Sequence, residues 1–260
     1  MTRDAGFSLI ELLVAMAVMV SVSGALLSLI LAGQSIARTQ PEAADLQQRA
    51  RVALQTLGAE LALAGAGLDR GPLAGALVHF FPPVVRSDEG GLTVWYVSSR
   101  EAQGALAAPL ATGATDVVLA SAGNCPSGFA GCGFTPDTTA IVFDPRGCRD
   151  VVRIVDVSAM SLQVKGTRRG CDYSAGAAIA EGEVRTYRVD PATRQLLRRD
   201  EGTGATLPVL DNIAAMNVEV LDAGRRARVT LRVAAASAAG PMVPDLVISY
   251  DVLPPNLQGR

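Results

Sequence analysis

Hydrophobic residues fill the early part of the chain with a single charge among them. After the polar start MTRDAG, residues 7–33 read FSLIELLVAMAVMVSVSGALLSLILAG, and Glu11 is their only ionisable side chain. A helix needs about 20 apolar residues to cross a bilayer, and residues 12–32 supply them. The run exceeds the apolar part of an ordinary secretory signal, which has about 7–15 residues. The pattern therefore predicts a membrane-spanning helix, built from residues that favour helix.

Beyond the span, the apolar positions recur every three or four residues, and charged residues take the other faces. This spacing predicts an amphipathic helix that lies on a domain. Two glycines, Gly65 and Gly67, are expected to end it. Kinks are expected at Gly24 and at Pro41, or a new helix at Pro41, since proline removes a helical hydrogen bond. The apolar positions are Leu46, Ala50, Ala53, Leu57, Leu61 and Ala64.

From about residue 68 the hydrophobic period changes to two, which is typical of β-strands. Turn signals such as Asp190-Pro191 separate the candidates. The sequence therefore predicts an α+β fold, in which a long N-terminal transmembrane and amphipathic helix packs on a largely antiparallel β-sheet. The strand candidates are residues 92–98, 115–120, 139–143, 151–157, 161–165, 182–189, 195–199, 217–221, 227–234 and 245–252.

Composition and charge add little to this fold. The 260 residues allow one sizeable domain with an appendage, and the net charge of -2 indicates no preference for nucleic acid. Three basic clusters could bind phosphates if they shared a face. Aromatic residues are nearly absent beside them, so solvated strand ends are the favoured interpretation and nucleic-acid binding is not predicted. The clusters are Arg168-Arg169, Arg198-Arg199 and Arg225-Arg226-Arg228.

Four cysteines lie well beyond the span: Cys125, Cys132, Cys148 and Cys171. They form no C-x-x-C pair, and the chain has a single histidine, His79, so a zinc site is not expected. An even number of cysteines beyond a membrane segment suits disulfides in an oxidising compartment. Three pairings are possible, and Cys125–Cys132 with Cys148–Cys171 closes the shortest loops. The alternative is four buried free thiols.

Catalytic and metal-binding patterns are missing from the sequence. His79 has no recognisable nucleophile motif near it, and its expected role is packing or surface exposure. The chain has no Walker A loop, no H-E-x-x-H and no EF-hand loop. The acidic residues Asp211, Glu219 and Asp222 are too scattered to predict a calcium site. The sequence therefore predicts no catalytic residue, no cofactor, no metal and no enzyme.

Glu11 stands out because an acid near the centre of a membrane helix costs at least about 2.5–3.5 kcal/mol, and less near the interface. By position alone it is either an interfacial acid without a role or a carboxylate that awaits a cation from another chain. Residues 6–13, Gly-Phe-Ser-Leu-Ile-Glu-Leu-Leu, decide between these interpretations. They resemble the processing site of type IV pilins and of type II secretion pseudopilins.

This resemblance implies a sequence of events at the N-terminus. Prepilin peptidase would cut between Gly6 and Phe7 and methylate the new amine of Phe7. Glu11 of one subunit would then pair with the Phe7 amine of its neighbour. A buried carboxylate is tolerated when it is paired and hydrogen-bonded. The pair would therefore select the register between subunits during assembly more than it would add to the stability of the assembly.

The last third of the chain gives a looser resemblance. Residues 185–189, 196–199, 207–213 and 216–220 are similar to PilW-like minor pilins and J-type pseudopilins. The implied role is a minor subunit of a type IV pilus, which acts in assembly or priming near the tip. The alternatives are a J-like minor pseudopilin of type II secretion, a DNA-uptake or adhesion receptor at the tip, and a single-pass membrane protein that is never processed.

The resulting organisation has four parts: a cleaved leader over residues 1–6, a transmembrane and assembly helix over 7–33, its amphipathic continuation over 34–65, and a β-rich globular domain over 66–260. Arg3 before the span and the cysteines beyond it both favour a cytoplasmic N-terminus, although Asp4 and the later arginines oppose this. We expect single-pass insertion in a bacterial inner membrane, with the domain outside the cytoplasm, followed by assembly into a pilus or pseudopilus. The expected partners are prepilin peptidase and other pilin or pseudopilin subunits.

Overall fold

The computed structural model of the chain describes residues 8–67, 84–87, 90–97, 102–120, 130–168, 170–222, 226–235 and 243–254. Within them, one long helix, α1, spans Leu9–Leu63, and a short 3₁₀ turn spans Ala130–Gly133. The strands in these residues are β1 (Val84–Arg86), β2 (Leu92–Tyr96), β3 (Gln103–Ala105), β4 (Asp116–Val118), β5 (Thr139–Phe143), β6 (Arg149–Val157), β7 (Ser161–Arg168), β8 (Ala178–Glu181), β9 (Glu183–Asp190), β10 (Gln195–Asp200), β11 (Thr206–Leu210), β12 (Ile213–Leu221), β13 (Arg226–Val233) and β14 (Leu246–Val252).

Helix α1 has 55 residues and runs through Gly24 and Pro41 without interruption. Its length is about 83 Å at 1.5 Å per residue. No new helix begins at Pro41, so that alternative is wrong. A kink at Gly24 or Pro41 stays a prediction.

The helix ends at the two glycines that were expected to end it. Gly65 and Gly67 have φ angles of +76° and +70°, a region that favours glycine. Two hydrogen bonds then tie this turn to the second strand: the Gly65 N–H donates to the Trp95 carbonyl (2.9 Å), and the Val97 N–H donates to the Ala66 carbonyl (2.8 Å). The end of α1 is thereby fixed to β2.

Two antiparallel sheets lie against the C-terminal part of α1. The first sheet has the strand order β1-β2-β9-β10-β11, and the second sheet has the order β12-β13-β14. Their buried residues form one core with the apolar stripe of the helix. All six predicted positions of that stripe are buried, at 5% exposure or less. Burying each leucine contributes about 1.5–3 kcal/mol, so this stripe anchors the helix to the domain.

The remaining strands form a third sheet, with the order β3-β8-β5-β6-β7-β4. Its two edges meet, because Leu106 after β3 forms an antiparallel bridge with Leu119 after β4. The Ala107 N–H donates to the Val118 carbonyl (2.7 Å), and the Ala120 N–H donates to the Ala105 carbonyl (2.8 Å). We call this unit the closed sheet. Side chains such as Phe134 and Ile154 fill its interior, as expected of a small barrel.

The closed sheet packs on the face of the first sheet that is opposite the helix. Alternation along β2 produces this arrangement: Val94 joins the core under α1, whereas Trp95 joins Ile141 and Phe143 in a separate cluster. Successive side chains of a strand point to opposite faces, so β2 contributes side chains to both cores. The first sheet is therefore the central layer of the domain.

The predicted fold class is confirmed, and the antiparallel strands are divided among three sheets. Each of the ten predicted strands overlaps an observed one, with end shifts of up to four residues at β12. Four strands were missed, namely β1, β3, β8 and β11. They have only three to five residues each and little alternation, so their pairing depends on neighbours that are distant in the sequence.

Candidate assembly site

The start of α1 carries the predicted assembly carboxylate. Ser8 is the N-cap residue, and its carbonyl accepts hydrogen bonds from the N–H groups of Glu11 (3.0 Å) and Leu12 (3.2 Å). Glu11 thus lies in the first helical turn, where the positive end of the helix dipole favours an acid. The predicted cleavage and methylation residues, Gly6 and Phe7, lie outside the described residues, so their roles stay predictions.

The surface around Glu11 is apolar and fully exposed. Every residue from Ser8 to Gly33 is exposed, and α1 is long and apolar enough, by length and composition, to cross a membrane. Ser21 and Ser28 donate their hydroxyls to the carbonyls of Ala17 (2.8 Å) and Ala25 (2.7 Å), which satisfies these polar groups without water. Glu11 forms no ion pair with any residue that the structure describes. A cation that pairs with the Glu11 carboxylate must therefore come from outside these residues.

A charged cluster that the sequence did not indicate joins α1 to the first sheet. Arg185 on β9 lies between two carboxylates: its Nη1 is 2.6 Å from Oε1 of Glu60 on α1, and its Nη2 contacts Glu183. Tyr96 donates its hydroxyl to Glu183 (2.9 Å), and the Arg185 guanidinium lies 5.5 Å from the centre of the Tyr96 ring. We call Glu60, Arg185, Glu183 and Tyr96 the helix clamp.

The helix clamp is largely covered, with side-chain exposures of 12% for Glu60 and 22% for Arg185. Burial alone would lower the pKa of Arg185, but Glu60, Tyr96 and Glu183 more than offset this and raise it. Burial, the hydrogen bond to Glu183 and the charge of Glu183 raise the pKa of Tyr96. Arg185 is therefore held as a cation and Tyr96 as a neutral donor. No local sequence pattern indicates this cluster, because Glu60 and Arg185 are 125 residues apart.

The cysteine predictions are confirmed for one pair. Cys148 and Cys171 form a disulfide, with a Cα–Cα distance of 6.1 Å. The buried Asp150 beside it accepts hydrogen bonds from the N–H groups of Gly170 (3.0 Å) and Cys171 (3.2 Å). Cys132 is also disulfide-bonded, so four free thiols is wrong. Cys125 lies outside the described residues, and its pairing with Cys132 stays a prediction.

Several of the basic residues are neutralised by acids on the outer face of the second sheet. Arg228 lies 2.7 Å from Asp251 and 3.8 Å from Glu219, and Arg226 lies 3.2 Å from Asp222. The hydrogen bond to Asp251 raises the pKa of Arg228. Paired arginines on a solvated face offer little to a phosphate backbone, which supports the solvated interpretation of this cluster. Arg169, Arg225 and the side chain of Arg168 lie outside the described residues.

The other candidate positions do not converge. Asp211 accepts a hydrogen bond from Gln195 (2.8 Å), while Glu219 and Asp222 face arginines. Over the described ranges, no group of three His, Cys, Asp or Glu side chains could hold a metal ion. His79 lies outside those ranges. The structure therefore brings Glu11 and the exposed helix together as a site, and leaves the scattered acids apart.

Comparison with known proteins bears on this site alone. Residues 1–27 match the prokaryotic N-terminal methylation motif. This match indicates a type IV pilin-like or pseudopilin-like precursor, and the motif belongs to a family of structural subunits. It implies processing by a prepilin peptidase and assembly with other pilin-like subunits. No curated protein and no solved structure matches the chain.

Proposed function

We propose that this chain is a minor pilin of a type IV pilus, which is processed between Gly6 and Phe7 and acts in assembly near the tip. The observation that carries the proposal is the methylation motif at the head of a helix whose first 25 described residues are all exposed and apolar apart from Glu11 and a few hydroxyls. An exposed surface of this kind is stable only in lipid or against other apolar helices.

The exposed apolar span has different surroundings before and after assembly. In the bilayer, the span is solvated by lipid, and Glu11 stays near the interface. In a filament, the same span packs against like helices, where the charge of Glu11 needs a cation. The amine of Phe7 on a neighbouring subunit supplies that cation once the leader is removed. The pair then favours one axial register, because any other leaves a charge unpaired among apolar side chains.

The minor-subunit role rests on the resemblance of residues 185–220 to PilW-like proteins and on chain length, since major pilins are usually shorter. A J-like minor pseudopilin of type II secretion shares the helix, the cleavage site and the resemblance. Genes beside this one distinguish the two proposals: pilus ATPases and other prepilins favour the pilus, whereas secretion components favour the pseudopilus.

Mass spectrometry of the mature N-terminus tests the proposal. In cells that contain prepilin peptidase, we expect a chain that begins at methylated Phe7, and in peptidase-deficient cells the intact chain. A chain that retains residues 1–6 in both strains would contradict every pilin interpretation and leave a plain single-pass protein.

A further inference from the structure

A cleft of about 210 Å³ opens where the chain passes from the closed sheet into the first sheet. Thr138 and Thr139 line it at the start of β5, and Glu181, Gly182 and Glu183 line it where β8 continues into β9. The lining that the structure describes therefore has two acids and no basic side chain. A cleft lined by charges of one sign attracts ligands of the opposite sign.

Glu181 is the buried acid of this cleft, at 7% exposure. Its Oε1 atom accepts a hydrogen bond from the Thr135 N–H (2.6 Å), and the hydroxyls of Thr135 and Thr138 each lie 2.9 Å from the same atom. All these partners are neutral. Within the described ranges, no arginine or lysine pairs with Glu181, and its Oε2 atom accepts no hydrogen bond. A carboxylate that is buried without a cation is costly, so a cation beside Oε2 would be favourable.

The charges near Glu181 leave its own charge uncompensated. Glu183 shares Arg185 with Glu60, so the helix clamp already holds two carboxylates for one guanidinium. Arg153, on the neighbouring strand β6, pairs with a different acid at 3.1 Å. The junction therefore carries an excess of negative charge, which favours a cation in the cleft.

The backbone fixes the turn between the two acids. The Glu181 N–H donates to the Ala102 carbonyl (2.8 Å), and the Gly182 N–H donates to the Thr139 carbonyl (3.0 Å). Gly182 has no room for a side chain, because a Cβ atom there would lie 2.7 Å from the Tyr96 carbonyl oxygen. The site is therefore formed before a ligand arrives, which lowers the entropic cost of binding.

We propose that this cleft binds the cationic end of a lysine or arginine side chain from another protein, with Glu181 as the main contact. An ionised carboxylate only accepts hydrogen bonds, whereas ammonium and guanidinium groups only donate them. Hydrogen bonds between such charged groups are about twice as strong as neutral ones. The volume is below the roughly 300–1,000 Å³ of sites for drug-sized ligands, which suits a single side chain. The cleft lies in the β-rich domain, so this binding does not depend on leader cleavage or on Glu11.

Nuclear magnetic resonance of the full chain in nonionic detergent micelles tests the proposal, because the amide signals of Thr135, Glu181 and Gly182 report on the cleft. The probes are N-acetyllysine N-methylamide and N-acetylarginine N-methylamide at low ionic strength, where charges are least screened. The neutral controls are the norleucine and citrulline analogues, which keep the stem and lose the charge. We expect saturable shifts of these signals with at least one cationic probe and none with its control, and the responding probe identifies the side chain. No saturable shift with either probe up to about 50 mM, or equal shifts with the controls, would overturn the proposal.

Three variants localise the response. Glu181→Gln keeps an acceptor for Thr135 and Thr138 but removes the charge, and it should weaken binding of the responding probe about tenfold or more. Since Glu181 is buried, the more exposed Glu183→Gln is the second variant, with an expected weakening of about threefold. Glu219→Gln is the matched control, because Glu219 is a half-exposed acid on the second sheet, away from the cleft. Unchanged titrations in both cleft variants, or an equal loss in the control, would overturn the assignment.

Discussion

Glu11 is the residue at which the isolated chain and its proposed assembly differ most. In the chain alone it is an exposed acid on an apolar helix, with no cation near it among the described residues. Glu11 can select one register between subunits because an unpaired acid has a high free energy among apolar side chains. That free-energy cost is at least about 2.5–3.5 kcal/mol at the centre of a membrane helix. A neutral side chain at this position removes both that cost and the signal.

We therefore expect Glu11→Gln to insert into the membrane as well as the wild type and to be impaired in assembly. Membrane fractionation measures the first property, and recovery of the subunit in sheared filaments measures the second. Glu219→Gln is the matched control, since Glu219 is a half-exposed acid on the second sheet. Normal incorporation of the Glu11 variant would contradict the pairing mechanism, and so would an equal defect in the control.

Gly67 is a residue whose lack of a side chain has a local reason. Its φ is +70°, and a Cβ atom there would lie far inside contact distance of the Val97 carbonyl oxygen. Gly67→Ala should lower the free energy of unfolding by more than about 1 kcal/mol, because strain and overlap add. Gly58→Ala, inside α1 with open space around it, should raise it by about 0.5–1 kcal/mol. Urea unfolding of both variants in micelles measures the contrast, and similar shifts of the same sign would refute it.

Between elements, α1 is held to the domain by two different kinds of contact. The apolar stripe supplies most of the free energy but would tolerate small shifts along the helix. The helix clamp is directional, since Arg185 must meet Glu60 from α1 and Glu183 from its own strand. Loss of one carboxylate leaves a partly buried cation with less compensation, which is costly.

Glu60→Gln is therefore expected to lower the free energy of unfolding by about 1–3 kcal/mol. Asp137→Asn breaks the exposed pair with Arg153 and should cost at most about 1 kcal/mol. Equilibrium unfolding of the two variants beside the wild type makes the comparison. Equal small losses would show that the clamp is no more than a surface ion pair.

The sequence predicted elements better than it predicted contacts. The apolar stripe from Leu46 to Ala64 has a strong helical period, and each of its positions is buried as expected. Glu60 and Arg185 are 125 residues apart, and no local pattern reveals that they meet. The closure of the third sheet likewise depends on a single bridge between Leu106 and Leu119, in short strands with little alternation. Glu11 was found because its motif is contiguous.

At the scale of the whole molecule, the disulfide Cys148–Cys171 cross-links only the closed sheet. The two cysteines are 23 residues apart and flank β6 and β7, whereas α1 and the second sheet lie in the other core. Cross-linking a loop of this size stabilises a fold by about 3 kcal/mol, mainly through the unfolded chain. The closed sheet is therefore the part of the domain that depends on an oxidising compartment.

The double substitution Cys148→Ser with Cys171→Ser should lower the free energy of unfolding by about 3 kcal/mol. Hydrogen exchange should rise in β5, β6 and β7 more than in β12, β13 and β14, because only the first group shares the core beside the disulfide. Wild-type protein treated with reductant should lose at least as much free energy of unfolding, because reduction also cleaves the disulfide of Cys132. Uniform exchange across all sheets would show that the domain unfolds as one unit.

The placement of the domain along α1 has a further mechanical consequence. Thr39, six positions after Gly33 at the end of the apolar span, has a partly covered side chain, whereas the helix from Leu9 to Gly33 is exposed throughout. Six residues of helix rise about 9 Å, little more than the roughly 6 Å depth of one headgroup layer. A polar domain cannot enter hydrocarbon, so it acts as a stop that prevents the helix from sinking further. In the proposed membrane-anchored state, the domain blocks inward displacement along the axis, whereas outward displacement needs other apolar helices to replace the lipid around the span. The subunit is then a piston that can be pulled from the bilayer into a filament but not pushed through the bilayer.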